Sequence, residues 1–197
     1  MEAMIDGIWQ PTQDRLKSCH EEIIRLNKMV GDLHTLAKFE GENLVINKST
    51  FDVYGLASNI ILNFENQYRN KGIKIILSGQ SQEIYADKDK ISQVLVNLIS
   101  NALKYTLSGG EVQINIINCE NTIELNVNDT GQGIPEEDLP HIFERFYRAD
   151  KSRNRMTGGS GIGLTIVKAI VEAHKGTVKA TSRINVGTSF IVRLPIC

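Results

Sequence analysis

The stretch DKDKISQVLVNLISNALKY, residues 87–105, predicts one amphipathic helix, and the rest of the fold can be placed around it. Asp87 stands where an N-cap is expected, because its carboxylate can accept backbone N–H groups of the first turn. Asn97 and Asn101 lie four residues apart, with Lys104 three further on, so all three project from one helical face. The buried face is expected to contain Val94, Leu95, Leu98 and Ala102.

Short strands and helices alternate on both sides of this helix. Before it, the pattern predicts a strand at Leu44–Ile46, a helix from about Val53 to Asn70-Lys71-Gly72, and a hairpin of Ile73–Leu77 with Glu83–Tyr85. After it, the pattern predicts a hairpin of Glu111–Asn118 with Thr122–Asn128, a helix over about 161–174, and a hairpin of Thr177–Arg183 with Thr188–Leu194. The economical packing of these elements is one mixed sheet covered on one face by helices.

The first segment has the spacing of a bundle helix. Apolar residues recur three and four apart through three heptads, up to the polar break at 40–43; they are Leu16, Cys19, Ile23, Leu26, Val30, Leu33 and Ala37. Such a stripe needs a partner helix, which favours a helical hairpin; the alternative is that the stripe docks on the following domain. We therefore expect one domain remnant at 1–43, with 1–6 as the end of an earlier helix, and a second domain at 44–197.

Composition excludes several classes of protein. Hydrophobic residues are 41% and charged residues 23% of the chain, which is typical of globular proteins. The net charge of −1 predicts no bulk attraction to nucleic acid or anionic lipid. The 3 cysteines are far apart, so free thiols in a reducing compartment are expected. No apolar stretch approaches the roughly 20 residues that span a bilayer, and no signal peptide is apparent, so direct membrane contact is not expected. Because of the small net charge, nucleic acid binding is not expected either.

Two motifs predict a polar ligand site. The face with Asn97, Asn101 and Lys104 offers amide oxygens that are acceptable ligands for Mg²⁺, together with an ammonium that can neutralise phosphate charge. The alternative is a helix with two solvated asparagines. Asp129 opens the turn DTGQGIP, where its carboxylate can accept from an exocyclic amine and the glycines let backbone approach a flat ring. The alternative there is a glycine-rich turn into a helix that starts at Pro135.

Two further clusters follow. The segment FERFYRAD (143–150) and the residues after it gather basic side chains, which suits either a lid over polyphosphate or a solvated basic loop. Phe143 and Phe146 are expected to anchor the base of that loop. The segment GGSGIGL (158–164) opens a helix, where backbone amides form an anion site. Its spacing is neither the Walker A pattern nor the dinucleotide fingerprint.

Taken in order, these motifs resemble the ATP-binding domain of bacterial sensor histidine kinases of two-component systems, in the GHKL (Bergerat) superfamily. The matching patterns are Asn-x-x-x-Asn-Ala-x-Lys-Tyr, Asp-x-Gly-x-Gly-Ile, Phe-x-Arg-Phe-Tyr-Arg and Gly-x-Gly-Ile-Gly-Leu. The resemblance covers roughly residues 48–197, and the heptad helix resembles the second helix of the family's dimerisation hairpin. It implies an α/β (α+β) two-layer sandwich and a protein-histidine kinase of a signal-transduction pathway, with ATP and Mg²⁺ as cofactors.

The resemblance also implies roles at the phosphate end of the site. Asn101 would be the principal Mg²⁺ ligand, with Asn97 assisting. Lys104 and Tyr105 would contact phosphates and the sugar–base region. The lid would include Tyr147, Arg148 and Lys151, and phosphate would be held by Gly159, Gly161, Ile162, Gly163 and Leu164.

At the base end, the resemblance implies that Asp129 receives the adenine amine. Thr188 would support that carboxylate from the adjacent strand. The slot for the ring would be shaped by Gly131, Gly133 and Ile134.

The residue at position 97 bears on the type of reaction. Chaperone, gyrase and mismatch-repair ATPases of the superfamily have a glutamate on this helix that activates water, whereas the Asn97 amide cannot act as a base at neutral pH. This chemistry favours transfer of the γ-phosphoryl group to an outside nucleophile over slow hydrolysis. In the family that nucleophile is a histidine on the dimerisation helix. The phosphoryl group is then passed to an aspartate in the receiver domain of a response regulator.

No histidine of this sequence is predicted to be the phosphoacceptor. His20-Glu21 superficially resembles the family's His-Glu start, but the arginine and the Thr-Pro or Asn-Pro that follow in the family are absent. We expect the chain to begin at the end of the first hairpin helix, to be mostly monomeric, and to be unable to phosphorylate itself. The resemblance implies the cytoplasmic portion of a membrane-anchored receptor that is a phosphoprotein. The alternative is a pseudokinase-like interaction module that needs no nucleotide.

Overall fold

A computed structural model describes residues 6–7, 12–40, 45–149 and 161–196. Its helices are α1 (Gln13–Glu40), α2 (Val53–Asn63), α3 (Glu65–Lys71), α4 (Lys88–Tyr105) and α5 (Gly163–Ala173). Its strands are β1 (Ser49–Asp52), β2 (Lys74–Ser78), β3 (Glu83–Ala86), β4 (Glu111–Cys119), β5 (Thr122–Asp129), β6 (Thr177–Arg183) and β7 (Gly187–Pro195).

Within the described residues, the main sheet has five strands in the order β2-β4-β5-β7-β6. β2 runs parallel to β4, and the other neighbours are antiparallel, so the sheet is mixed as predicted. Both predicted hairpins of this sheet, β4 with β5 and β6 with β7, are confirmed. The predicted sandwich is confirmed as well, with helices packed on the sheet.

The predicted hairpin of Ile73–Leu77 with Glu83–Tyr85 is wrong. β2 pairs instead with β4, and β3 forms a separate two-stranded sheet with β1. The left-handed Gly72 (φ 64°) ends α3 and directs the chain toward β4, where the Lys74 amide donates to the Gly110 carbonyl over 3.0 Å. An alternating pattern predicts a strand but not its partner, which tertiary packing selects.

The predicted strand at Leu44–Ile46 is also wrong. Leu44 lies outside the described residues, 45–48 have no regular structure, and β1 begins only at Ser49. Phe51, the apolar centre of β1, is buried opposite Ile84 of β3, which fixes the strand at this later position.

The central helix α4 is confirmed with its predicted cap and buried face. Asp87 Oδ1 accepts the Lys90 amide over 3.1 Å, and Val94, Leu95 and Leu98 are fully buried. The Asp87 amide donates to Nε2 of the buried His174 at the end of α5, so the start of α4 and the end of α5 are joined. This contact fixes the two helices that border the cleft described below.

Helix α1 is confirmed, and most of the described part of its apolar stripe is exposed, whereas Cys19 is half-buried. Leu16, Leu26 and Val30 expose 53%, 52% and 65% of their surface. The helical hairpin that would cover this stripe stays a prediction. Within 12–40, 45–149 and 161–196, no helix combines the length and the apolar content that crossing a membrane requires.

Candidate functional site

One cleft brings together residues from α4, the end of β5, the segment 132–149, the start of α5 and β7. Asn101, Asp129 and Gly161 all line it, although they belong to three different motifs of the sequence. The other predicted residues in its lining are Asn97, Lys104, Tyr105, Gly133, Ile134, Tyr147, Arg148, Gly163, Leu164 and Thr188.

Two predicted residues that the structure describes, Gly131 and Ile162, do not line this cleft. Gly131 lies behind Asp129, where its amide donates to Asp129 Oδ1 over 2.8 Å. Ile162 is completely buried, because its side chain belongs to the hydrophobic core. Lys151 and Gly159 lie outside the described residues.

The wall formed by α4 presents amide and ammonium groups. Asn97 and Asn101 are both partly exposed to the cleft. A Cβ atom at Gly163 would lie 3.1 Å from Asn97 Oδ1, so the start of α5 approaches this amide closely. Nζ of Lys104 lies 4.8 Å from the centre of the Tyr105 ring.

Lys71 supports the end of this wall from outside the cleft. Its ammonium donates to the carbonyl oxygens of Leu103 over 2.6 Å and Lys104 over 2.9 Å. A cation at the C-terminus of a helix stabilises it, because the last carbonyls have no partner within the helix. Burial lowers the pKa of the Lys71 ammonium. The last turn of α4, which carries Lys104 and Tyr105, is therefore held in place.

Asp129 is a buried carboxylate at the end of β5, with 8% of its surface exposed. Burial raises the pKa of Asp129, and backbone hydrogen bonds from Gly131 and Thr188 oppose that increase. Carboxylates so placed accept strongly from polar N–H groups, because few water molecules compete.

Glycines let the backbone pack closely around Asp129. Gly133 has a φ of 74°, and a Cβ atom there would overlap the Arg183 carbonyl oxygen. A Cβ atom at Gly131 would lie 2.6 Å from the Tyr105 carbonyl oxygen. Side chains at these positions would therefore separate the turn after β5 from its neighbours.

Tyr147 marks the rim of the cleft, where the chain enters the basic segment. Its hydroxyl donates to Asp138 Oδ1, and its ring lies 5.4 Å from the His141 ring. The hydrogen bond to the Asp138 carboxylate raises the pKa of Tyr147 to about 12, because it stabilises the protonated hydroxyl. Asp138 and His141 thus position Tyr147.

The expectation for the two phenylalanines is half right. Phe143 packs edge-on against Phe190 at 6.5 Å and contacts the core, as an anchor should. Phe146 is not an anchor, because 54% of its surface is exposed. Its left-handed backbone, with φ 60°, turns the chain at this residue. No helix starts at Pro135 either, since the chain continues in turns.

Five residues of the lining were missed by the sequence analysis: Ser100, Gln132, Ile142, Ala149 and Phe190. Phe190 could have been found, because it lies two residues after Thr188 on one strand and so faces the same side. Ser100 could also have been found, since it lies between Asn97 and Asn101 on α4. Ile142 and Ala149 carried no polar signal.

The two walls suit different parts of one ligand. Asp129 and the glycines suit a flat ring with an amino group, while the amides, Lys104 and Arg148 suit an anionic group. Among the described residues, no group of three His, Cys, Asp or Glu side chains could hold a metal ion alone. A magnesium ion in this cleft would therefore depend on amide oxygens, water and ligand phosphates.

Comparison with known families is consistent with this geometry. Residues 86–197 match the family described as histidine kinase-, DNA gyrase B-, and HSP90-like ATPases, which is more than half of the chain. The chain belongs to this ATPase family. Among the family's kinases, it is 36% identical to the signal transduction histidine-protein kinase BaeS of Escherichia coli over 197 residues, which is 100% of this chain and 42% of BaeS. The chain thus spans less than half the length of this relative.

Solved histidine kinases of the ATPase family share the fold. The histidine kinase AdeS of Acinetobacter baumannii superposes with a TM-score of 0.82 and 28% identity, over 99% of this chain and 90% of that chain. The histidine kinase ThkA, solved in complex with the response regulator protein TrrA, superposes with a TM-score of 0.77 and 25% identity, over 95% of this chain and 52% of that chain. These comparisons confirm the predicted family and fold class.

Proposed function

We propose that this chain is the ATP-binding kinase domain of a two-component sensor histidine kinase and that the cleft binds ATP with Mg²⁺. The observation that supports this most is the meeting of Asn101, Asp129 and Gly161 in one cleft. Residues 1–43 are then part of a dimerisation hairpin and residues 44–197 the catalytic domain, in the cytoplasmic part of a membrane-anchored receptor.

In this proposal the base end recognises adenine. Asp129 accepts the exocyclic amine, and Thr188 supports it from β7. The glycine-rich turn lies against the ring; its residues are Gly131, Gly133 and Ile134. A hydrogen bond to a charged acceptor contributes about 1.5–3 kcal/mol, enough to orient the nucleotide.

The other end holds the triphosphate. Asn101 is the principal magnesium ligand and Asn97 the assisting one; these amide oxygens fit a metal that takes its remaining ligands from phosphate and water. The bound metal screens phosphate charge. The side chains that contact the nucleotide are Lys104, Tyr105, Tyr147 and Arg148. The backbone that lies near the phosphates is that of Gly161, Gly163 and Leu164. The proposed site also includes Lys151, Gly159 and Ile162.

The reaction is phosphoryl transfer rather than hydrolysis. The Asn97 amide cannot take a proton from water, so the cleft positions the γ-phosphoryl group for an outside nucleophile. That nucleophile is an imidazole nitrogen on the dimerisation helix of the parent kinase. The bond to the β-phosphate oxygen breaks, ADP leaves, and the phosphohistidine passes its group to a receiver-domain aspartate of a response regulator. The complex of the similar kinase ThkA with TrrA supports this class of partner.

The decisive experiment supplies the acceptor separately. The purified chain is incubated with Mg²⁺, γ-labelled ATP and a helical hairpin domain that carries a phosphoacceptor histidine. We expect acid-labile label on the hairpin, none on the chain alone, and no change with His20→Gln. A melting temperature that ATP does not raise, together with stable assembly of the chain, would instead favour an interaction module. Steady release of inorganic phosphate would favour hydrolysis.

A further inference from the structure

A cluster of hydroxyl groups lies directly behind the Asp129 end of the cleft. Ser182 on β6 is paired with Thr188 on β7 in the sheet. Ser182 Oγ lies 2.9 Å from Thr188 Oγ1, 2.9 Å from the Gly187 carbonyl oxygen and 2.8 Å from the Ile134 amide nitrogen. Thr188 lines the cleft, whereas Ser182 does not. Ser182 can therefore act on a ligand only through its neighbour.

These three contacts fix the direction of each hydrogen bond. The Ile134 N–H can only donate and the Gly187 carbonyl can only accept, so Ser182 accepts the first bond and gives its single proton to the second. The third contact is then satisfied only when Thr188 donates its proton to Ser182 Oγ. The Thr188 hydroxyl thus has lone pairs, and no proton, left for a ligand in the cleft.

The residue beside Thr188 is an acceptor too. Asp129 is paired with Thr188 across β5 and β7, and both residues are buried at the same end of the cleft. An amino group can donate to such a pair of acceptors. A carbonyl oxygen in the same place would face only lone pairs, and an unsatisfied buried polar group costs free energy.

We infer that Ser182 is a positioning residue for nucleobase selectivity, because it holds the Thr188 proton away from the cleft and so favours a 6-aminopurine over a 6-oxopurine. The inference rests on the proposed function, since it takes the ligand to be a purine nucleoside triphosphate. Without the Ser182 oxygen, the Thr188 hydroxyl is free to rotate and donate to a 6-oxo group. Selectivity, and not merely affinity, then falls.

The test compares ATP with ITP, which carries an oxo group at position 6 of the purine. Both are titrated with Mg²⁺ into the wild-type chain, Ser182→Ala and Ser182→Thr by calorimetry. We expect the ratio of the ITP to the ATP dissociation constant to fall about 5- to 10-fold in Ser182→Ala, the worth of one hydrogen bond, and to recover in Ser182→Thr. Thr181→Ala is the matched control, because the exposed Thr181 lies on the other face of β6 and should leave the ratio unchanged.

A second variant removes the dependence on Ser182→Ala folding well. Thr188→Val deletes the acceptor itself, so the ratio should fall there as well, and adding Ser182→Ala should change it no further. Equal weakening of both nucleotides in Ser182→Ala, or an unchanged ratio in Thr188→Val, overturns the inference and leaves the proposed function standing. A wild-type chain that binds neither nucleotide overturns both.

Discussion

The two ends of the cleft are built in different ways. At the base end, Asp129 and Thr188 lie on neighbouring strands, and their polar groups already have partners within the protein. At the phosphate end, Asn97 and Asn101 project from a helix, and neither side chain has a hydrogen-bond partner among the described residues. The base end is therefore preorganised, whereas the phosphate end is completed by what binds there.

This difference shows that one cleft can combine a fixed site, which selects the ligand, with side chains that adjust to a bound metal and phosphates. A rigid acceptor pair selects the ligand at little entropic cost on binding. Helix side chains facing solvent can adopt the positions that a metal and a transferring phosphoryl group require. Substitutions at the base end should consequently affect the free energy of unfolding as well as ligand binding, whereas substitutions at the phosphate end should affect mainly ligand binding.

The largest contrast is expected between two glycines. Gly133→Ala puts a Cβ on a left-handed backbone and against the Arg183 carbonyl, and should lower the free energy of unfolding by about 2–4 kcal/mol. Gly163→Ala meets only the flexible end of Asn97, in a helix that favours alanine, and should change stability by less than about 1 kcal/mol. Urea denaturation measures both. Equal losses would mean that the two ends are equally rigid.

The next largest effect is expected from Asp129→Asn. Loss of the charged acceptor should weaken ATP binding about 10- to 100-fold, measured by calorimetry. Asn128→Ala, the preceding residue on the other face of β5, is the control and should bind normally. Retention of wild-type affinity in Asp129→Asn would remove the base end from the proposal.

The same substitution should not destabilise the free chain. Burial raises the pKa of Asp129 in the folded chain above its usual 3.8. The protonated carboxyl group therefore contributes to stability at pH values below the pKa of the unfolded state, and this contribution is lost as the pH rises through the pKa of the folded state. At neutral pH the ionised carboxylate therefore costs stability. At pH 7 the melting temperature of Asp129→Asn should be at least as high as that of the wild type. As the pH is lowered, ATP binding by the wild type should begin to weaken at a pH above 3.8, because the Asp129 carboxylate is protonated there.

A smaller effect is expected at the metal. Chelation of Mg²⁺ should weaken ATP binding by the wild-type chain about 10-fold, because the metal no longer links the phosphates to the Asn101 amide oxygen. In Asn101→Ala the affinities with and without Mg²⁺ should converge, and Asn97→Ala should lie between the two. Val96→Ala, on an exposed position of the same helix, serves as the control. Full Mg²⁺ dependence in Asn101→Ala would assign the metal to other residues.

The smallest effect is expected at the rim. Tyr147→Phe removes the hydrogen bond to Asp138 and keeps the ring, so ATP binding should weaken only about 2- to 5-fold. Asp138→Ala should have a similar effect, and combining the two should add little, because both remove one interaction. Additive losses in this double-mutant cycle would show that Asp138 does not act through Tyr147.

Local patterns predicted most of the fold and of the cleft. α4, its cap at Asp87 and the hairpin of β4 with β5 were predictable, because helix periodicity, capping and short turns are local properties. The partner of β2 was not, since it depends on how α4 crosses the sheet. The exposed position of Phe146 depends on one backbone angle, and the role inferred for Ser182 depends on the register of β6 against β7. Neither a single backbone angle nor the exact register of a hairpin follows from an alternating pattern of residues.

The parallel pairing of β2 with β4 bears on the order in which the sheet assembles. Lys74 of β2 is aligned with Glu111 of β4, and β3 and α4 lie between them in the chain, whereas the partner of each hairpin strand follows after a short turn. Closing a longer loop costs more chain entropy. During synthesis on the ribosome, β2 emerges well before β4, so we expect these two strands to pair after the hairpins have formed.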